Sequence, residues 1–403
     1  MKVLISGASI AGPVLAYWLT RHGFHVTVVE RAPALRKTGG HAIDLFRPAM
    51  EISERMGVLP RIEARATGTA TLMAHRPWSS RPARIDYLKV EKTMSDRHVE
   101  IMRDDLSEIY YDAARDGVQY IFGDHIASIS GDGDVLFANA AGRRFDIVIG
   151  ADGLHSGVRQ LVFGDVPQRF LGGYLSVVSV PRSLAHNGEM TGYFEPDRVA
   201  MVYTADHLDD ARAVFIFRPK SALDFDHRDV ARQKEQLRAA FAGTSAEVDT
   251  WLDELGRTPT FYFDAITQLE MAEWSRGRVT LVGDAGYCPG PAVGGSTSLA
   301  VYGAYVLACE LSRASGDHTT AFAAYERTMM PSVLGSRKLA RVNAKTVVPG
   351  SRLGVMALIG VGRLISALPL SVSQSVARLN NRGVRLYDTM PLPEMTPRLH
   401  SGL

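Results

Sequence analysis

The sequence predicts an α/β fold, with a Rossmann-like domain interrupted by an inserted, mostly β domain and followed by C-terminal helices. Three observations carry this. A strand, a glycine loop, a helix and a second strand follow one another over residues 2–30. Alternating apolar and polar residues dominate about residues 165–272, and helical periodicity returns beyond them.

Taken in order, residues 2–5 form a short apolar strand, and Gly7, Ser9 and Gly12 punctuate the turn and the start of a helix through Val14, Leu15, Trp18 and Leu19. A second apolar strand, 26–29, ends at Glu30. This is the βαβ dinucleotide fingerprint in its required setting: Gly7 for the tight turn, Gly12 for close helix packing, and an acid about 20 positions on for ribose hydroxyls. Pyrophosphate is expected on the helix N-terminus, among the main chain of Ser9, Ile10 and Ala11, with Arg31 beside the acid. Ser9 stands where the fingerprint has its middle glycine, and Glu30 favours FAD or NAD over NADP as the dinucleotide held there.

A helix is expected from Pro48 to just before Gly57, and another over 104–116, capped by Asp104 or Asp105. Strands are expected at 174–180, 199–203, 213–217 and 260–263, with a helix near 229–242. Two further strands, at 145–150 and 278–282, end in Asp-bearing glycine loops: Asp152-Gly153 with Ser156 and Arg159, then Gly283-Asp284 with Pro291, Gly294, Gly295 and Ser296. Such an Asp can accept from ribitol or ribose hydroxyls. The last loop leads bare backbone to a helix over 297–311, whose N-terminus suits the negative charge of a reduced flavin.

Composition sets the frame. The length of 403 residues corresponds to two or three domains at about 150 residues each. Hydrophobic residues at 46% and charged residues at 22% exclude bulk disorder. Lys and Arg number 45 against 43 Asp and Glu, so no whole-molecule field recruits nucleic acid. Two cysteines, Cys288 and Cys309, exclude a disulfide framework and point to a reducing, cytoplasmic setting. No signal peptide is read at the N-terminus, no metal-binding His pattern occurs, and residues 351–372 are too interrupted by Arg352 and Arg363 to span a bilayer.

With the three motifs in order, the chain resembles the class A FAD-dependent flavoprotein monooxygenases, the para-hydroxybenzoate hydroxylase family, and within it the tetracycline-inactivating and actinobacterial antibiotic-tailoring branch. The matching residues are Asp152, Gly153 and Arg159 for the second motif and Gly283, Asp284, Ala285, Pro291 and Gly294 for the third. Arg103 stands where the family's flavin-contacting Arg opens a helix. Tyr287, Gly286 and Ser296 depart from the family's usual His, Ala and Gly, with Ser296 suited to cap the following helix. The resemblance implies FAD as resident cofactor, NADPH or NADH as transient donor, and transfer of one oxygen from a flavin C4a-hydroperoxide to an aromatic or polycyclic small molecule. Baeyer-Villiger oxygenation, a reductase of the geranylgeranyl-reductase type and a drug-sequestering flavoprotein are the alternatives.

On this reading residues 1–73, 95–165 and 275–340 form the FAD-binding domain, 74–94 and 166–274 the substrate-binding β-rich domain, and 341–403 a C-terminal helical segment. Gly39 and Gly40 allow the loop before Pro48 to approach the flavin. Substrate candidates are His41, Asp44 and Arg47 beside that loop and Tyr203, Phe215 and Phe217 on strands. Arg198 and Arg212 read as solvated, and Cys288 as a buried small hydrophobe rather than a covalent flavin link.

Overall fold

β1 (Lys2–Ser6) and β2 (His25–Glu30) flank α1 (Ala11–Arg21). Val3, Leu4 and Ile5 are wholly buried, and a strand apolar on both faces belongs inside a parallel sheet covered by helices. The structure, a computed structural model, describes residues 1–35, 39–95, 97–224, 226–258, 260–291, 295–369, 371–373 and 386–395.

The chain then lays down β3 (Ala42–Phe46), α2 (Arg47–Arg55), with Pro48 in its first turn, and α3 (Leu59–Ala64). A hairpin of β4 (Thr71–Arg76) and β5 (Ser79–Asp86) leads to α4 (Tyr87–Met94), β6 (His98–Met102), α5 (Arg103–Ala114) and β7 (Val118–Phe122). Neither acid expected to cap α5 does so. Met102 is the N-cap, and Asp104 accepts instead from Gly40 N at 2.6 Å. A small antiparallel meander, β8 (Ile126–Ile129), β9 (Asp134–Phe137) and β10 (Arg143–Arg144), precedes β11 (Ile147–Gly150) and α6 (Gly157–Phe163).

The β-rich stretch comprises β12 (Gln168–Pro181), β13 (Glu189–Glu195), β14 (Arg198–Tyr203) and β15 (Asp210–Phe217), then α7 (Val230–Phe241), α8 (Ala246–Asp253) and β16 (Phe261–Leu269). After it come β17 (Ser275–Arg276), β18 (Val279–Leu281), α9 (Asp284–Tyr287), α10 (Ser296–Arg313), α11 (His318–Thr346) and α12 (Arg352–Ala367).

Two large sheets result. One runs β17-β18-β11-β1-β2-β7 and is parallel from β18 to β7. The other, in order β16-β12-β15-β14-β13-β4-β5, gathers strands from both sides of α5. Alternation along β12 and β15 splits its side chains between two cores. Leu175, Val177, Val214 and Ile216 point one way, while Val178, Phe215 and Phe217 pack with Phe241 and Trp251 of α7 and α8 on the other. β3 and β6 form a separate antiparallel ribbon. α10, buried along nearly its whole length, is the central helix of the core behind the six-stranded sheet, where α1, α2 and α11 pack around it. Among the described residues, no helix is long and apolar enough to cross a membrane.

Candidate functional site

Because β1, β11 and β18 are parallel neighbours, the loops that leave their carboxyl ends share one edge of the sheet, where ligands of open α/β sheets bind. The first loop is main chain pressed together. Gly7 has φ +109°, and a Cβ there would lie 2.4 Å from Ala151 O. A Cβ on Gly12 would lie 2.0 Å from Gly7 O. The Glu30 carboxylate accepts from Ala8 N and Ala32 N, each at 2.9 Å, so it fixes the loop while retaining lone pairs for a hydroxyl. Ile10, the N-cap of α1, contributes no side-chain acceptor, and the first turn has no acid. The N–H groups of Ala11 and Gly12 are therefore placed for an anion. Ser9 lends its carbonyl to Ser107 Oγ at 3.1 Å.

The second loop is braced by side chains. Asp152 accepts from Ser156 Oγ at 2.5 Å, Val158 N at 3.1 Å and Ser6 Oγ at 3.3 Å. Burial raises its pKa. Gly153 has φ +78° and open space around it, and the Arg31 guanidinium lies 3.8 Å from where a Cβ on Gly157 would stand. Buried Arg159 donates to Leu154 O at 2.6 Å and to Ala285 O at 2.8 Å, tying the second loop to the third.

In the third loop Gly283 has φ +67° and is the N-cap of α9. Asp284 is half-buried; desolvation raises its pKa while the Arg103 charge and the Cys288 thiol oppose the shift. Gly295, in the left-handed region at φ +78°, is the N-cap of α10, and no acid occupies the first turn. Ser296 is thus the first helical residue and not the cap: the left-handed turn takes that position. Pro291 precedes this turn, and Gly294 lies outside the described residues. Gly286 and Tyr287 are core. Tyr287 bonds Tyr325 at 2.9 Å and packs on Trp274, against which a Cβ on Gly286 would lie 3.3 Å away. Cys288 is buried, 3.8 Å from Thr267 O, and burial holds its thiol far above the usual range, so it carries no thiolate for a covalent link.

Facing this edge stands a wall of side chains. Gly40 N donates to Asp104, while Gly40 O accepts from Arg212 Nε at 3.0 Å. Arg212 is only 2% exposed and pairs with Asp210 at 2.5 Å, so the solvated role read from sequence is wrong. It is a buried clamp from β15 onto the glycine loop. The sequence signal was its position among the apolar residues Ala211 and Ala213–Phe217 of the strand. Arg198 is also engaged, with Glu195 at 2.6 Å and Ala240 O at 2.8 Å. Arg103 begins α5, is itself exposed, and its N donates to His41 O at 3.1 Å. Burial and then the Arg103 charge push the His41 pKa down to about 4, leaving a neutral imidazole at pH 7. The Arg103 charge reaches Tyr262 as well, and the His41 and Tyr262 rings lie 6.3 Å apart.

The remaining substrate candidates divide. Tyr203 accepts from Ala42 N at 2.7 Å and ties the seven-stranded sheet to β3. Asp44 accepts from His98 at 2.7 Å, beside Glu91 and Glu100, which burial raises to about 8 and about 7. Arg47 pairs with Glu51, at 3.8 Å, on its own helix. Phe215 and Phe217 are excluded from this wall, because the strand's alternation sends both to the face covered by α7 and α8. A cavity of about 470 Å³ opens beside the second loop, lined in part by His155, His227, Asp226 and Asp264. His155 bonds Asp264 at 2.8 Å and stacks on His227 at 4.2 Å.

Two helix N-termini free of acid, glycines with no room for a side chain, and a ribose-placed Glu30 fit an FAD molecule laid along this edge. Comparison with known proteins agrees. Residues 1–326 match the family described as FAD binding domain. An uncharacterized protein of Mycobacterium tuberculosis is 42% identical over 333 residues, covering 80% of this chain and 88% of the relative. A flavin-dependent monooxygenase of Legionella longbeachae is 35% identical over 345 residues, covering 84% and 87%. The crystal structure of tetracycline destructase Tet(55) superposes with a TM-score of 0.82 at 33% identity, covering 98% of each chain.

Proposed function

Since the chain belongs to the FAD binding domain family, as a class A FAD-dependent monooxygenase, we propose that it draws electrons from NADPH or NADH and uses O2 to hydroxylate an aromatic or polycyclic small molecule. The observation that carries this is the meeting of two different surfaces. A main-chain edge with two acid-free helix N-termini faces a wall in which Arg103, His41 and Tyr262 stand together.

FAD, when bound, supplies electron transfer and oxygen activation. The chain's own residues bind, orient and shield. The N–H groups of Ala11 and Gly12 and the α10 N-terminus favour negative charge on the cofactor. Arg103 adds an exposed positive charge within electrostatic reach of Asp284. His41 stays uncharged at pH 7, so it can accept or donate one hydrogen bond without importing charge. Tyr203 and Arg212 hold the Gly40 loop in register with the sheet and keep water from its backbone.

The test is a compound panel scored by stimulated NADPH or NADH consumption together with product mass. The likeness to tetracycline destructase Tet(55) puts tetracyclines first on that panel. Stimulated consumption with one oxygen gained supports the reading, and product connectivity separates hydroxylation from Baeyer-Villiger insertion. A product that gains two hydrogens, or tight binding without stimulated consumption, overturns it.

A further inference from the structure

The most exposed large apolar side chain among the described residues lies on α12. Leu353 is 78% exposed, Val361 57%, Leu364 56% and Met356 52%. These four recur at helical spacing along one side, whereas Val355 and Ile359 on the other side are buried. The helix is firmly seated. Ser351 caps it by accepting from Gly354 N at 3.1 Å. It packs on β5 and α4, and Lys89 Nζ donates to Ser366 O at 2.8 Å. A capped and packed helix that leaves its leucines outward presents a surface, and such a stripe marks an interaction site.

Charge identifies the occupant. Residues 350–373 contain Arg352 and Arg363 and no acid, and residues 76–89, the hairpin and start of α4, carry Arg76, Arg81, Arg84 and Lys89 against Asp86 alone. The rest of a nearly neutral chain is therefore acidic on balance. The Arg352 guanidinium lies 5.2 Å from the ring centroid of Trp78 at the hairpin tip, so a half-buried tryptophan and this arginine lie beside the start of the helix. An apolar helix face with a cationic rim and an adjoining Trp is the make-up of a helix lying in a membrane interface. A second copy fits poorly, since a two-fold pairing sets Arg352 and Arg363 against the same cations. At 16 residues, about 24 Å, the helix is too short to span.

We propose that α12, with the β4–β5 hairpin, docks the protein on an anionic lipid surface. The site is independent of the monooxygenase reading, and its test needs no substrate. FAD-loaded full-length protein is floated with vesicles of phosphatidylglycerol and phosphatidylcholine, and with phosphatidylcholine alone. Binding to the first and little to the second is expected. Leu353→Glu with Leu364→Glu should weaken binding roughly tenfold or more, and Arg352→Gln and Arg363→Gln roughly fivefold each. All these positions are exposed, and an unchanged flavin spectrum and melting temperature confirm intact folding. Absence of vesicle binding by the wild-type protein overturns the proposal, as does binding that the glutamate pair leaves unaltered. A concentration-dependent dimer in light scattering that Leu364→Glu dissolves, without vesicle binding, overturns it in favour of a second copy.

Discussion

The edge around Gly7, Gly12 and Gly283 is made of main chain, whereas the wall around Gly40, His41, Tyr203 and Arg212 is held by side chains from three separate elements. The first leaves little room for an added atom: carbonyl oxygens occupy the space a Cβ would take at Gly7 and Gly12, and Ala300 crowds it at Gly283. The second depends on donors and acceptors that meet across long sequence distances, such as Arg212 and Gly40. Damage to the edge should abolish cofactor binding, while damage to the wall should misplace a loop that remains bound. Graded substitutions can break this distinction or sharpen it.

Gly12→Val should have the largest effect. Its side chain collides with Gly7 O, at a cost of roughly 3 kcal/mol or more, and the expected outcome is protein without flavin in absorbance after gel filtration. Arg212→Ala leaves Asp210 and Gly40 O without their buried partner, which costs about 3 kcal/mol in chemical unfolding. FAD should still bind, but with NAD(P)H consumption poorly coupled to product. Equal FAD loss in the two variants would erase the contrast between edge and wall.

His41 provides a pH test of the wall. Its folded pKa, about 4, lies below the unfolded value, so the unfolded chain binds the extra proton between about pH 6.5 and 4. Stability is lost as pH falls through that window, by roughly 1–2 kcal/mol for a half-buried ring. Melting temperatures from pH 7 to 4.5 should fall less steeply in His41→Gln. Tyr203→Phe removes the acceptor for Ala42 N and should cost about 1 kcal/mol, read in the same melts. Smallest in function is Phe215→Leu, which should cost about 1 kcal/mol of stability and leave KM unchanged, because the ring faces α7 and α8. A raised KM in that variant would place the substrate on the wrong face of the sheet.

The same contrast explains what could be read in the sequence. Edge residues announce themselves locally: Gly7, Gly12 and Glu30 lie in one βαβ unit, and Gly283 and Asp284 follow an apolar strand, so spacing alone locates their turns. The wall does not. Which face Phe215 takes is decided by α7 and α8, which arrive later in the chain, and Gly40, the main chain on which buried Arg212 closes, comes from a distant loop. The sequence delimits no strand at β4, β5 or β13 either, although it places residues 74–94 with the β-rich domain, since β4 and β13 pair in parallel across more than a hundred residues. Ser296 shows the limit of local capping rules, because the left-handed turn at Gly295 takes the cap position that the side chain was expected to fill.

The most direct test of the edge is the amount of FAD retained per chain after reconstitution and gel filtration. One FAD per wild-type chain, one per Phe215→Leu chain and none per Gly12→Val chain is the expected result. A wild-type protein that stays colourless, or a Gly12→Val protein that keeps its flavin, would contradict the account.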